Sequence, residues 1–220
     1  MSKIALSGDP SGSGTFTIAS PNSNSNYTLT IPQATTTIVG TDATQTLTNK
    51  TLGSGLVMGA SAITSATAQA STSGTSIDFT GIPAYAKQIT VMLNGVGTNG
   101  ISEVILQIGD SGGIETSGYT GSLAQMQNAG NPSVYNFSTS IRTDGAKNSA
   151  AVRHGAITIS LIDQSSNLWA FAGCIGRSDG VLCSCLGGNK SLSATLDRVR
   201  ITTVNGTDTF DAGSINILYG

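Results

Sequence analysis

The first third of the chain is the feature that most limits how this sequence can fold. From residue 1 to about residue 76 it consists mainly of Thr, Ser, Gly, Asn and Ala, and its only charged residues are Lys3, Asp9, Asp42 and Lys50. Such a segment buries too little apolar surface to offset the conformational entropy that it loses when it orders as a lone monomer. We therefore expect it to obtain a core from other chains or to remain loose.

The same segment contains short alternating runs that are typical of β-strands. They are Thr15–Ile18, Tyr27–Ile31 and Thr37–Val39, and the first two are separated by the turn-forming residues 20–24. Each run has one thin apolar face and no obvious partner nearby in the sequence. This pattern predicts a protein that folds as an intertwined oligomer.

Composition and charge argue against several classes of function. Only 10% of the 220 residues are charged, the formal net charge is -2, and the pI is about 5.1. Because no basic patch is present, we expect no nucleic-acid partner. No apolar run has the length of a secretory signal core or of a membrane span, so we expect synthesis in a cytosol and no membrane insertion.

The whole chain is predicted to be all-β, since β-branched residues dominate its apolar runs and no helical spacing is sustained. A change of texture between Ala66 and Thr75 divides the chain into an N-terminal attachment and trimerisation segment, 1–75, and a C-terminal domain, 76–220. Short strands bounded by Gly, Asn, Asp and Pro are typical of a β-sandwich of jelly-roll type. The predicted strands are Ser76–Phe79, Gln88–Val96, Glu103–Ile108, Val134–Thr139, Ala156–Ile162, Leu168–Ile175, Val181–Leu186, Leu196–Val204 and Ser214–Tyr219.

One strand indicates which of its faces is buried. A period of two along residues 196–202 places Val199 and Ile201 on one side and Arg198 and Arg200 on the other. The apolar side is predicted to pack inward, and the basic side to meet water or a neighbour. The final strand, Ser214–Tyr219, is predicted to lie inside a sheet, so its truncation should damage folding.

Residues 44–52, with the sequence TQTLTNKTL, resemble a signature of bacteriophage tail-fibre and related virion structural proteins. The segments Ile77–Pro83, Ile108–Ile114 and Phe210–Asn216 are similar to the C-terminal β-rich domain of phage fibres. The resemblance implies a homotrimeric fibre, assembled in the bacterial cytoplasm, whose N-terminal segment attaches to tail, baseplate or capsid proteins of the virion. It also implies that the C-terminal domain points outward and mediates attachment to the host cell surface.

This chain is short and lacks the long repetitive shaft of typical fibres, so its place on the particle stays open between head, baseplate and accessory fibre. An alternative is a purely architectural role, as a capsid decoration, head fibre or baseplate adaptor that binds no receptor. An enzyme that degrades the host wall or capsule is the third possibility.

Two motifs suggest chemistry, and for each a structural interpretation is favoured. Residues 109–113, Gly-Asp-Ser-Gly-Gly, resemble the nucleophile loop of trypsin-like proteases, but the only histidine, His154, follows Ser111 instead of preceding it. A β-turn is predicted there. Cys183 and Cys185, with Cys174 and His154, include the residue types of a zinc site, but a single residue between paired cysteines is too short a spacing. We expect the cysteines to be buried apolar side chains. We also expect the protein to bind no metal or other cofactor and to have no enzymatic activity.

Carboxylates near turns could form the acid pair of a glycosidase, but their position favours turn-forming roles. Recognition is expected instead in two irregular stretches, Gly112–Pro132 and Ser140–Arg153. Aromatic rings stack on sugar faces, and amide and charged groups bond sugar hydroxyls, so these loops could bind a host-surface glycan. The predicted receptor-binding residues are Tyr119, Gln125, Asn128, Arg142 and Asp144, and for Tyr119 and Tyr135 a position in the core or between subunits stays open as the alternative.

Overall fold

The computed structural model describes residues 11–14, 22–26, 63–128, 130–145 and 147–220. The three strands predicted between residues 15 and 39, and the motif at 44–52, lie outside the described residues. All the secondary-structure elements of the described residues are β-strands. Within that part of the chain, no helix has the length and apolar character needed to cross a membrane.

Fourteen strands follow one another along the described residues. They are β1 (Thr64–Ser65), β2 (Gln69–Ala70), β3 (Ser76–Thr80), β4 (Gln88–Thr98), β5 (Val104–Asp110), β6 (Gly113–Ile114), β7 (Tyr119–Gln127), β8 (Ser133–Phe137), β9 (Ile141–Arg142), β10 (Arg153–Asp163), β11 (Leu168–Arg177), β12 (Leu182–Ser191), β13 (Leu196–Thr203) and β14 (Phe210–Tyr219).

These strands form two antiparallel sheets. The large sheet has the order β1-β14-β4-β10-β11-β12-β7-β8, and β2 also pairs with β14. The small sheet has the order β3-β13-β5-β6, and β9 also pairs with β5. Along the chain, β2, β3, β4 and β5 alternate between the two sheets, as do β9 and β10 and then β13 and β14. This alternation is the wrapping of a jelly roll, and the predicted all-β sandwich is confirmed.

The core lies between the two sheets and is built from strands with a period of two. Ile89, Val91 and Leu93 of β4 are buried from one side, and Val199 and Ile201 of β13 from the other. The inward face predicted for β13 is therefore confirmed. On its opposite face two arginines remain partly exposed beside aspartates of the same sheet.

The nine strands predicted from residue 76 onward are all present, but β7 was not predicted, and neither were the two-residue strands β1, β2, β6 and β9. The stretch Gly112–Pro132 was expected to be an irregular loop, whereas Tyr119–Gln127 is a nine-residue strand between β12 and β8. Its alternation of buried and outer side chains is faint in the sequence, because Gly121 and Gln125 occupy inward positions alongside Leu123.

The sandwich also begins before residue 76. The described residues from Ile63 onward belong to one compact unit. Within it, β1 and β2 both pair with β14, and the buried Ser71 hydroxyl donates to the Ala212 carbonyl at 2.8 Å. β14 thus has neighbours on both sides, as expected for a final strand that lies inside a sheet.

Candidate functional site

Tyr119 is a core residue and does not lie in an exposed loop. Its side chain is 2% exposed, and burial raises the pKa of its hydroxyl. The hydroxyl accepts a hydrogen bond from the Ile108 N–H at 2.8 Å and donates one to the Glu115 carbonyl at 3.0 Å. Because Tyr119 is in the large sheet and Ile108 in the small one, the tyrosine ties the two sheets together. Its expected exposure to a receptor is wrong.

Gln125 and Asp144 are buried as well. The Gln125 Oε1 accepts from the Gly145 N–H at 2.9 Å, and the Asp144 Oδ2 accepts from the Arg153 Nε at 2.9 Å. The side chains of Asp144 and Arg153 are both fully buried. These contacts hold the irregular segment after β9 against the large sheet, so the expectation that Gln125 and Asp144 project from loops is also wrong.

Arg142 is only partly accessible. Its side chain is 18% exposed, forms an ion pair with Glu103, and lies with its guanidinium 4.9 Å from the centre of the Tyr135 ring. Arg142 and Glu103 border a cavity of about 200 Å³ whose wall also includes Asn136 and Ser140. The arginine charge is therefore already neutralised at this position.

Among the five predicted receptor-binding residues, Asn128 is the one that is exposed. It lies at the turn after β7, where its backbone N–H donates to the Val181 carbonyl at 3.2 Å. A shallow depression of about 570 Å³ opens here, which we term the Asn128 depression. Its wall consists of Met126, Gln127, Asn128, Arg177, Gly180, Val181, Leu182 and Cys183.

The Asn128 depression combines apolar and polar contacts. Met126 is 49% exposed and Val181 is 73% exposed. Arg177 is bound by Asp179, and this hydrogen bond lowers the pKa of the Asp179 carboxyl to about 2. An exposed amide beside apolar side chains and a neutralised ion pair can form surface contacts with a neutral ligand.

Ser111 of the protease-like motif and His154, the only histidine, lie on different parts of the sandwich. Ser111 is in the turn between β5 and β6, as predicted. His154 pairs with Asn94 near the end of β4, at the end of the sandwich where β5 begins. Its ring nitrogens are engaged by the Gly95 N–H at 3.1 Å and by the Ser178 hydroxyl at 3.0 Å. The fold therefore does not bring Ser111 and His154 together.

Two carboxylates meet at Ser193. The Ser193 hydroxyl lies 2.7 Å from Asp110 Oδ2 and 2.8 Å from Glu115 Oε1, and Lys190 forms an ion pair with Glu115. The pKa of Asp110 is lowered, chiefly by the Ser193 hydrogen bond. Burial alone would raise the pKa of Glu115, but the hydrogen bonds from Lys190 and Ser193 outweigh it, and the net shift is downward. A glycosidase acid needs a raised pKa, so this cluster suits structure better than proton donation.

The cysteines are placed differently from the prediction. Cys174 and Cys185 face each other across β11 and β12 and form a disulfide on the outer side of the large sheet. Cys183, on the same side, is free and half-buried. The expectation of three buried apolar cysteines is wrong, because their parity on the strands directs them away from the core.

The outer side of the large sheet carries small and neutral residues, and we term it the neutral face. Four rows cross its strands. From β14 to β8, the first central row consists of Leu218, Thr90, Thr158, Ala172, Gly187, Ser122 and Asn136, and the second central row consists of Asn216, Met92, Ala156, Cys174, Cys185, Ala124 and Val134. Of the two shorter flanking rows, one consists of Ser214, Asn94, His154, Gly176, Cys183 and Met126, and the other of Gln88, Ser160, Ala170, Asn189 and Thr120.

None of the residues of the neutral face is Lys, Arg, Asp or Glu. This surface is not predicted above from the sequence. Along β10, however, Ala156, Thr158 and Ser160 alternate with buried isoleucines, and this alternation indicates an outer side made of small residues. Assembling the surface requires the strand order, which the sequence does not give.

Comparison with known proteins returned no match: no protein-family model, no curated protein and no solved structure corresponds to this chain.

Proposed function

We propose that this chain is a virion structural protein of a bacteriophage, a short homotrimeric fibre that attaches the particle to the host cell surface. The observation that carries the proposal is the sequence TQTLTNKTL at 44–52, which resembles the signature of phage fibre proteins. A jelly-roll sandwich following that motif is consistent with an N-terminal segment that binds other virion proteins and a C-terminal domain that meets the host.

The Asn128 depression is the surface we propose for contact with the host. An amide can exchange hydrogen bonds with sugar hydroxyls, and the exposed Val181 can pack on the apolar side of a sugar ring. We propose a neutral host-surface glycan as the ligand, bound without catalysis. The lowered pKa values of Asp110 and Glu115 suit a structural role for these carboxylates better than acid catalysis.

A specific observation favours the architectural alternative, in which the protein joins virion parts and binds no receptor. Tyr119, Gln125 and Asp144, three of the five residues expected to contact a receptor, are buried. The remaining accessible contacts form a shallow surface rather than a deep pocket. A test must therefore separate attachment to cells from incorporation into particles.

Fluorescently labelled protein applied to cells of the bacterial host tests the attachment role. We expect staining that free host glycan competes away, that Asn128→Ala reduces about tenfold, and that Thr80→Ala, an exposed change on the small sheet, leaves unchanged. An antibody against the protein should also label purified phage particles. Labelled particles without cell staining would favour the architectural role, and absence of both would contradict the virion proposal.

A further inference from the structure

We propose that the neutral face is the surface through which copies of this chain pack against one another. This proposal rests on the self-association that the proposed function includes, and it identifies the surface and the partner. The described residues give three independent reasons: the distribution of charge, the shape of the face, and the position of its exposed apolar side chains.

Charge divides the two outer surfaces of the sandwich. The outer side of the small sheet carries Asp78, Asp197, Arg198 and Arg200. The neutral face has no such residue in any of its four rows. Exposed sheet surfaces usually carry charges that keep proteins apart, and a wide surface without them is typical of an interaction site.

The shape of the neutral face suits the packing of sheet on sheet. Its two central rows include the small residues Ala124, Ala156, Ala172 and Gly187 and the Cys174–Cys185 disulfide, so few long side chains rise above its centre. Seven strands spaced about 4.8 Å apart, with four rows about 6.8 Å apart, cover roughly 800 Å². This is about the area that each partner contributes to a stable interface of ordinary size.

Apolar side chains stand around that flat centre. Met126, Val134 and Ile162 lie at its margins and are 49%, 68% and 59% exposed, respectively. Methionine and aliphatic side chains at the edge of a flat contact can fill the gaps between two twisted sheets. Their exposure in a single chain is unfavourable, and a covering partner would relieve it.

A second copy of this chain is the occupant that matches these properties. A neutral surface offers nothing to a charged partner such as a nucleic acid, whereas the neutral faces of three copies, turned toward a common three-fold axis, present hydroxyl, amide and apolar groups of the same kind to one another. The N-terminal third, with its four charged residues, has the same neutral character, so it would not repel a neighbouring copy. Both features favour an assembly built from identical chains.

The first experiment places one charge at the centre of the neutral face of the full chain. Ala172 is exposed, so Ala172→Lys should be tolerated by a single chain but should bury an unpaired charge in an assembly. We expect the mass measured by light scattering to fall to that of one chain, with the β-sheet signal of the sandwich retained in the circular dichroism spectrum and the N-terminal third no longer ordered. The matched variants Ala172→Ser and Thr80→Lys, the latter on the small sheet, should keep the native mass. A folded Ala172→Lys variant with the native mass would overturn the proposal.

A second measurement needs no charged variant, because a cysteine can be placed at Ala172 or at Thr80, which are both exposed in a single chain. If copies cover the face, a cysteine at Ala172 in a Cys183→Ser background should react with a bulky polyethylene-glycol maleimide at least tenfold more slowly than a cysteine at Thr80 in the same background. Equal rates in an assembly would overturn this proposal but leave self-association standing. A monomeric native protein would overturn both, and cell staining tests the attachment role separately.

Discussion

Single polar side chains in this protein lock the two sheets together. Tyr119 reaches from the large sheet to the backbone of β5, and Arg153 meets Asp144 with both side chains fully buried. Residue types that suggest surface recognition in a sequence thus serve here as internal cross-links. Removing one member of such a pair leaves the other buried and unsatisfied, which costs more than the bond itself contributes.

Tyr119→Phe should separate a structural role from a recognition role. The change leaves the Ile108 N–H without its acceptor inside the core, so we expect the free energy of unfolding to fall by about 1–3 kcal/mol. Denaturant titration measures this loss, and cell staining should be unchanged. Asn128→Ala should have the opposite pattern, with stability retained. Loss of staining in Tyr119→Phe with full stability would restore Tyr119 as a receptor contact.

The carboxylate cluster at Ser193 predicts how stability depends on pH. The pKa values of Asp110 and Glu115 are lowered in the folded state, so their contribution to stability is fully present above the unfolded pKa values near 4 and is lost as the pH falls below them. Ser193→Ala should lower the melting temperature at pH 7 and have a smaller effect near pH 3. A destabilisation that stays constant between these two pH values would contradict the assignment.

At the scale of strands, the sequence was most informative where apolar and polar residues alternate strongly. The strand Leu196–Thr203 shows this, because the alternating Val199 and Ile201 indicate its buried face. β7 was missed because Gly121 and Gln125 face inward and weaken the alternation, and this error turned two core residues into receptor candidates. The pairing of β1 and β2 with β14 depends on contacts more than 140 residues apart, such as Ser71 with Ala212, which local patterns do not encode.

The strands before residue 76 should contribute to the stability of the sandwich. A fragment comprising 76–220 loses several hydrogen bonds, among them those that the backbone N–H groups of Ala66 and Ser71 and the Ser71 hydroxyl donate to carbonyls of β14. At about 1 kcal/mol each, these three alone should make it less stable than a fragment comprising 63–220 by at least about 3 kcal/mol. Thermal unfolding followed by circular dichroism compares the two fragments. Equal stability would place the functional boundary at residue 76 after all.

Three features of the whole molecule favour assembly from identical chains: a nearly uncharged N-terminal third, a jelly-roll sandwich, and a neutral outer face on its large sheet. The first could be recognised in the sequence, and the second could be predicted as a class from strand lengths and turn residues. The neutral face could not, because residues from seven strands form it, and their order follows from the long-range pairing alone. Together these features support a fibre assembled from identical chains.

The mass of the intact chain in dilute solution tests this claim most directly. One chain has a mass of 22.2 kDa, and light scattering on protein at micromolar concentration should give about three times that value. Dilution should not yield a folded single chain, because the N-terminal third has too little apolar surface to order alone. A stable, folded species of 22.2 kDa across the concentration range would contradict the fibre account.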